Sequence, residues 1–367
     1  MNANHKSLRL TGTDDLYAGV IERSRHQVGQ DARSASLVAG AFGGIGASSK
    51  KGHLASMHTT SRSLLTSDPS LGNRNLDGMY TDDIGSLKYK LFLSCALRER
   101  PPLFVMLHGA SQTASDFATG TRMAQVVDEC GGIALFPEQS RSAHPLGSWN
   151  WYDTRHQLAQ GGEPSLIVGL TLKIAADHAV DQRRIYVAGM SAGGAMAVIL
   201  GQAFPAVYAA VGVHSGIPKG AAHDLMSALR TMSSGPSKSW TGRPKLSHLM
   251  PTIVFHGDRD RTVNPLNAVA VLAQALRLEG ASPETAGVLC AGPTPMPGGR
   301  DVTLTTHRRH EGPSHAELWI VHGSGHAWTG GNSKGSYTDE TGPDASREMM
   351  RFFLTQSLAR RRHHAQA

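Results

Sequence analysis

The stretch Ile185-Tyr186-Val187-Ala188-Gly189-Met190-Ser191-Ala192-Gly193-Gly194 decides how the chain is read. Its first four residues form an apolar run of the kind a buried strand shows. The following Ala195-Met196-Ala197-Val198-Ile199-Leu200 reads as a helix. A strand, a sharp Gly-flanked turn holding a serine, and a helix make the context of a nucleophile elbow. Glycines beside the serine allow a turn too tight for neighbouring Cβ atoms. The strained turn lifts the hydroxyl into the open, and the helix N-terminus favours negative charge beside it. Ser191 is therefore the candidate nucleophile.

Working outward, apolar runs recur on both sides. Leu103–Leu107, Ile133–Phe136, Ala209–Val213, Ile253–Phe255 and Leu318–Val321 read as strands buried on both faces. Helical spacing is seen at Ser115–Glu129, Ser165–His178, Ala192–Phe204 and Leu266–Glu279. Asp344–Leu354 reads as a closing helix with Met349, Met350, Phe353 and Leu354 inward. Alternating strands and helices imply an α/β fold, a mostly parallel central sheet flanked by helices. Residues 1–80 are rich in Ser, Gly, Thr, Asn and charge. They read as a weakly ordered extension with one short helix near Asp15–Arg25. Residues 81–358 form the α/β domain, and 359–367 form a basic tail. Ser233–His248 reads as a surface excursion.

Composition narrows the function classes. With 40% hydrophobic residues in 367, the chain can bury one large core. The net charge of +7 is scattered, and its densest run, Arg360-Arg361-Arg362, lies in the tail, which argues against nucleic acid as a partner. No apolar stretch reaches the ~20 residues a membrane span requires. The three cysteines, Cys95, Cys130 and Cys290, show neither paired nor metal-ligand spacing.

A serine hydroxyl needs a base, usually a histidine oriented by a carboxylate. In sheets of this kind the partners follow in the order Ser, acid, His, each after a strand. The run Thr252–Phe255 leads into His256-Gly257-Asp258-Arg259-Asp260, and Leu318–Val321 leads into His322-Gly323-Ser324-Gly325-His326. Asp260 and His326 are the favoured acid and base. Asp258 is the alternative acid, otherwise a turn-shaping residue. His322 and His326 are four apart, but Gly323 and Gly325 break any helix between them, so no metal site is expected. Backbone N–H donors for an oxyanion are expected from Ala192 and from Ala110 or Ser111, in the turn His108-Gly109-Ala110-Ser111 after Leu103–Leu107. Trp149, Trp151 and Trp328 are candidates to line a substrate cleft, against ordinary packing.

Taken together, Leu107-His108-Gly109, Phe136-Pro137-Glu138-Gln139, Trp149-Asn150-Trp151, Gly162-Glu163-Pro164, Gly189–Met196, Val213-His214-Ser215-Gly216, Phe255-His256-Gly257 and Gly325-His326-Ala327-Trp328 carry a resemblance. They resemble the polyhydroxybutyrate depolymerase-type esterases of the α/β-hydrolase superfamily, with feruloyl and acetylxylan esterases among the relatives. The resemblance runs from about Lys88 to Leu354. It implies ester cleavage through an acyl-serine intermediate, with Ser191, Asp260 and His326 in the family's three roles and no cofactor. The implied partner is a polyester or small ester. Relatives often carry cysteines after the His-Gly and before Trp-Asn-Trp that look like disulfide partners, where this chain has Ala110 and Ser148. With no signal-like segment seen, that suggests a cytoplasmic setting, with export as in many relatives the alternative. The rival readings are a feruloyl- or acetylxylan-directed esterase, a serine peptidase of the superfamily, and an inactive binding protein of the same fold. Acyl group, oligomeric state and the role of residues 1–80 stay open.

Overall fold

A computed structural model describes residues 66–67, 75–240, 250–277, 287–296, 299–308 and 313–359. The helix expected near Asp15–Arg25, most of the extension, most of the expected excursion beyond Trp240, and the basic tail from Arg360 lie outside the described residues.

Apolar runs with no polar alternation belong in a sheet covered on both faces, and such runs form its centre here. Eleven strands are β1 (Thr66–Ser67), β2 (Asn75–Thr81), β3 (Ser86–Leu93), β4 (Leu103–Leu107), β5 (Ile133–Glu138), β6 (Ile185–Met190), β7 (Ala210–His214), β8 (Thr252–Gly257), β9 (Gly287–Pro295), β10 (Asp301–Arg308) and β11 (Ser314–Val321). They form one sheet in the order β1-β2-β3-β5-β4-β6-β7-β8-β11-β10-β9. The six central strands from β5 to β11 pair in parallel. β1, β2 and β3 close one edge antiparallel, as β10 and β9 do the other. Trp328–Thr329 (β12) and Thr338–Asp339 (β13) form a separate parallel pair.

Helices occupy the crossovers: α1 (Ala114–Thr121) and α2 (Met123–Cys130) after β4, α3 (Gly162–Asp177) after β5, α4 (Ala192–Ala203) after β6, α5 (Leu225–Ser234) after β7, and α6 (Leu266–Arg277) after β8. The last helix is α7 (Ala345–Leu354). The run Leu103–Leu107 shows how the two faces are filled. Leu103, Val105 and Leu107 join the core under α3, α4 and α6, while Phe104 and Met106 join the one under α1, α2 and α7. Successive side chains leave opposite faces of a strand, so one apolar run serves both layers.

Four local expectations shift. The helical stretch Ser115–Glu129 is two helices, because Arg122 adopts a left-handed conformation with φ of 53°. In α7 the buried side chains include Met349, Met350, Phe352 and Phe353, while Leu354 is exposed; positions 345, 349, 352 and 353 follow the helical period. The boundary at 80 falls inside β2, which pairs along its whole length with β3. α5 extends into the expected excursion at Ser233 and Ser234, and its start is secured by the reciprocal Asp224–Ser227 capping box.

Candidate active site

Every candidate residue sits beyond the C-terminal ends of parallel strands, the edge where open α/β sheets assemble their sites. Ser191 joins β6 to α4 with φ of 55° and ψ of −119°, a sparsely populated conformation costing roughly 1–3 kcal/mol. The strain persists because the surroundings hold it. The Ser191 N–H donates to the His214 carbonyl at 2.9 Å. Gly193 presses so closely on the Leu107 and His108 carbonyls that a Cβ there would overlap both, and a Cβ on Gly189 would run into Gly193. These glycines are required by close backbone approach, as the sequence suggests. Ala192 is the first residue of α4, where an N–H has no intrahelical acceptor.

The Asp260 side chain is fully buried beyond β8. Its Oδ1 accepts the N–H groups of Thr262 at 2.9 Å and Val263 at 2.8 Å, and its Oδ2 lies 2.7 Å from His326 Nδ1. Burial by itself would raise this carboxyl's pKa. The hydrogen bond and charge of His326, the nearby His256 and the Val263 N–H outweigh it and hold the group down at about 2. With Nδ1 donating to this carboxylate, the His326 imidazole presents Nε2 as its basic nitrogen. His326 and Ser191 line the same pocket.

Asp258, the alternative acid, bonds elsewhere. Its Oδ2 lies 2.8 Å from His322 Nδ1, its Oδ1 accepts the Gly323 N–H at 2.7 Å, and Thr303 Oγ1 sits 2.8 Å from His322 Nε2. The two neighbouring carboxylates thus serve two different histidines. No group of metal-binding side chains is found among the described residues.

The turn after β4 lies against the elbow, with the Cβ position of Gly109 3.5 Å from Ser191 Cβ. Ala110 and Ser111 both border the pocket, but the Ser111 N–H already donates to the Leu146 carbonyl at 2.8 Å. This corrects the expectation for Ser111 and leaves Ala110 as the candidate donor from this turn. A chain of bonds fixes its path. The Gly109 N–H donates to Gln112 Oε1 at 2.9 Å, and Gln112 Nε2 donates to the Ser336 carbonyl at 3.0 Å and Asp116 at 3.1 Å. Neutral His108 accepts the Gln139 N–H on Nε2 at 3.0 Å, burial having lowered its pKa.

Of the three tryptophans, one lines the pocket. Trp151 does so together with Leu146, Tyr152, Ile217, Leu225 and Leu229, around a cavity of about 180 Å³. Trp149 is fully buried and donates its indole N–H to the His108 carbonyl at 3.1 Å. Trp328, also buried, stacks on His214 at 5.1 Å and donates to Ser346 Oγ at 3.1 Å. Both correct the expectation of a cleft-lining role: each indole found its hydrogen-bond partner inside the protein, so the rings brace the loops from behind. Buried Glu163 had no assigned role in the sequence. It accepts from Gln139 Nε2 at 2.6 Å and from the Asn150 N–H at 2.8 Å, tying three separated motifs into one support. The wall from α5 was also missed, although Asp224 followed by Leu225, Ala228, Leu229 and Met232 carries a cap and a helical spacing.

His214 gives the site a pH dependence of stability. Burial, with the nearby His256 and His326, pushes its pKa down to about 3. Between that value and ~6.5 the unfolded chain binds a proton that the folded chain does not. This contribution to stability is present above pH ~6.5 and is lost as pH falls towards 3. At pH 5 it amounts to about 2 kcal/mol for His214 alone. His108 and His256, also lowered by burial, act in the same direction. Urea unfolding at pH 7.5 and 5 should show this loss, and His214→Gln should lose less between the two; equal stability at both pH values would refute it.

The model of the family described as "Esterase PHB depolymerase" matches residues 87–295, more than half of the chain. The chain belongs to that family. The matched segment takes in Ser191 and Asp260 and ends before His326. Among relatives, poly(3-hydroxyalkanoate) depolymerase C of Paucimonas lemoignei is 26% identical over 53% of this chain and 49% of its own length. Poly(3-hydroxybutyrate) depolymerase of Ralstonia pickettii is 27% identical over 65% of this chain and 51% of its own. This family member thus spans about half the length of both depolymerases. Feruloyl esterase B of Thermothelomyces thermophilus is 27% identical over 53% of this chain and 71% of its own. Among solved structures, an acetyl xylan esterase from Aspergillus awamori superposes with a TM-score of 0.57 at 17% identity, covering 73% of this chain and 94% of that one. That likeness shows the fold, an α/β-hydrolase fold. No helix among the described residues is long and apolar enough to cross a membrane.

Proposed function

We propose that the chain is a serine ester hydrolase acting on hydroxyalkanoate polyester or its oligomers. The observation that supports this most is that Ser191 and His326 share one apolar-walled pocket, with His326 bonded at 2.7 Å to the buried Asp260. In this reading His326 Nε2 takes the Ser191 proton as Oγ attacks the ester carbonyl. The Ala192 and Ala110 N–H groups hold the oxyanion, and Asp260 stabilises the imidazolium. His326 then delivers the proton to the departing alkoxide, leaving an acyl-serine. Water, deprotonated by His326, adds to the acyl carbon, and collapse returns Ser191 and a free carboxylic acid. Leu146, Trp151, Leu225 and Leu229 suit an acyl unit bearing small alkyl branches.

The feruloyl esterase relative keeps a carbohydrate-directed reading alive. Product release from amorphous polyhydroxybutyrate, its oligomers and methyl ferulate separates the two. Serine-dependent release of 3-hydroxybutyrate units is expected. Ferulate as the only product would replace this substrate reading, and failure of a fluorophosphonate probe to label the protein would favour an inactive binding protein.

A further inference from the structure

A second cavity, about 350 Å³ and polar, adjoins the catalytic pocket. Gln112, whose amide braces the turn holding Ala110, borders both. The second cavity is lined by Lys88 and Arg141, by Glu138, and by the hydroxyl residues Ser86 and Ser140.

Its lining holds two cations and one carboxylate. Lys88 on β3 stands directly across from Glu138 on β5, so the two side chains share a face of the sheet. Glu138 is nevertheless turned to the Ala114 N–H, which donates to its Oε2 at 2.9 Å. Among the described residues, the side chains of Lys88 and Arg141 have no ion-pair or hydrogen-bond partner, and both are exposed, whereas Arg155, Arg300, Arg347 and Arg351 each meet a carboxylate. Two unpartnered cations against one engaged carboxylate leave the cavity with an excess positive charge next to an apolar catalytic pocket.

We propose that this cavity binds the terminal carboxylate of a short hydroxy-acid oligoester whose scissile ester lies at Ser191. The proposal rests on the ester-hydrolase reading above and narrows its substrate to acid-ended chains. A guanidinium and an ammonium supply the charge-assisted donors that a carboxylate takes and that an esterified chain end cannot use as well. The apolar pocket would hold the neighbouring alkyl-branched unit, so the two cavities divide one substrate by polarity.

The test uses full-length Ser191→Ala protein, in which ligands bind without turnover, and titration calorimetry with 3-hydroxybutyrate trimer as the free acid and as its methyl ester. The acid should bind about tenfold tighter at low salt, and the advantage should shrink as salt screens it. In the Lys88→Ala/Arg141→Ala background the acid and the ester should bind alike, with ester affinity reporting that the catalytic pocket is intact. Equal binding of both ligands to the parent protein overturns the proposal, as does an advantage that survives the double substitution. Hydrolysis of the methyl ester by the Ser191 protein is read separately. Its absence counts against the ester-hydrolase reading, while the acid-versus-ester comparison still decides the cavity.

Discussion

Ser191→Ala is expected to lower kcat by about 10⁶ while leaving the unfolding midpoint at neutral pH within a few degrees of the parent. The size of the loss follows from the division of labour at the elbow. Oγ is the atom that would form the covalent bond, so nothing left in the pocket can form the acyl intermediate. The Ala192 and Ala110 donors and the apolar wall remain, so a residual ~10³–10⁴ over water is expected. The fold should survive because the Ser191 bonds that hold the elbow are main-chain ones, N–H to the His214 carbonyl and carbonyl to the Ala195 N–H, both at 2.9 Å. Steady-state kinetics on a soluble ester, with circular dichroism of the same sample, checks both halves. A variant retaining a tenth of the activity would remove Ser191 from the mechanism.

The second large effect separates two carboxylates two residues apart. Asp260→Asn is expected to cost about 10⁴ in kcat, and Asp258→Asn less than about tenfold. An Asn amide at 260 would offer an N–H towards His326 Nδ1, placing the imidazole proton on Nε2, where it cannot accept from Ser191. The same change leaves a buried site built for a charged group: the Thr262 and Val263 N–H donors and the nearby His256 lose their anion. Asp258 is half-exposed by comparison and touches His322 and Gly323, neither of which reaches the pocket. Kinetics of both variants on one substrate suffice, and equal losses would move the acid's role away from Asp260.

The parallel sheet was legible because burial on both faces leaves a local trace: runs such as Leu103–Leu107 and Ile185–Ala188 contain no polar residue. The edge strands β2 and β10 were not, since both are partly exposed and mix polar with apolar residues where a central strand shows an unbroken apolar run. Ser191 stood out because a strained turn between a strand and a helix demands glycines on both sides, a requirement written in adjacent residues. The order Ser, acid, His was also legible, because each member follows an apolar run. Placing Asp260 on His326, and Asp258 on His322, joins residues 66 and 64 positions apart.

By itself, then, the sequence determined the layered α/β architecture, the elbow and the short list of residues that could serve it. Only the tertiary structure decided which carboxylate meets which histidine, that Ser111 spends its N–H on Leu146, that Trp151 alone of the three tryptophans faces the pocket, and that α5 forms its wall. The physical reason is the range of the forces involved. Hydrophobic periodicity and backbone strain act between neighbours in sequence and leave a pattern there. A side chain's direction and its hydrogen-bond partner depend on what the rest of the fold brings within 3 Å or so of it.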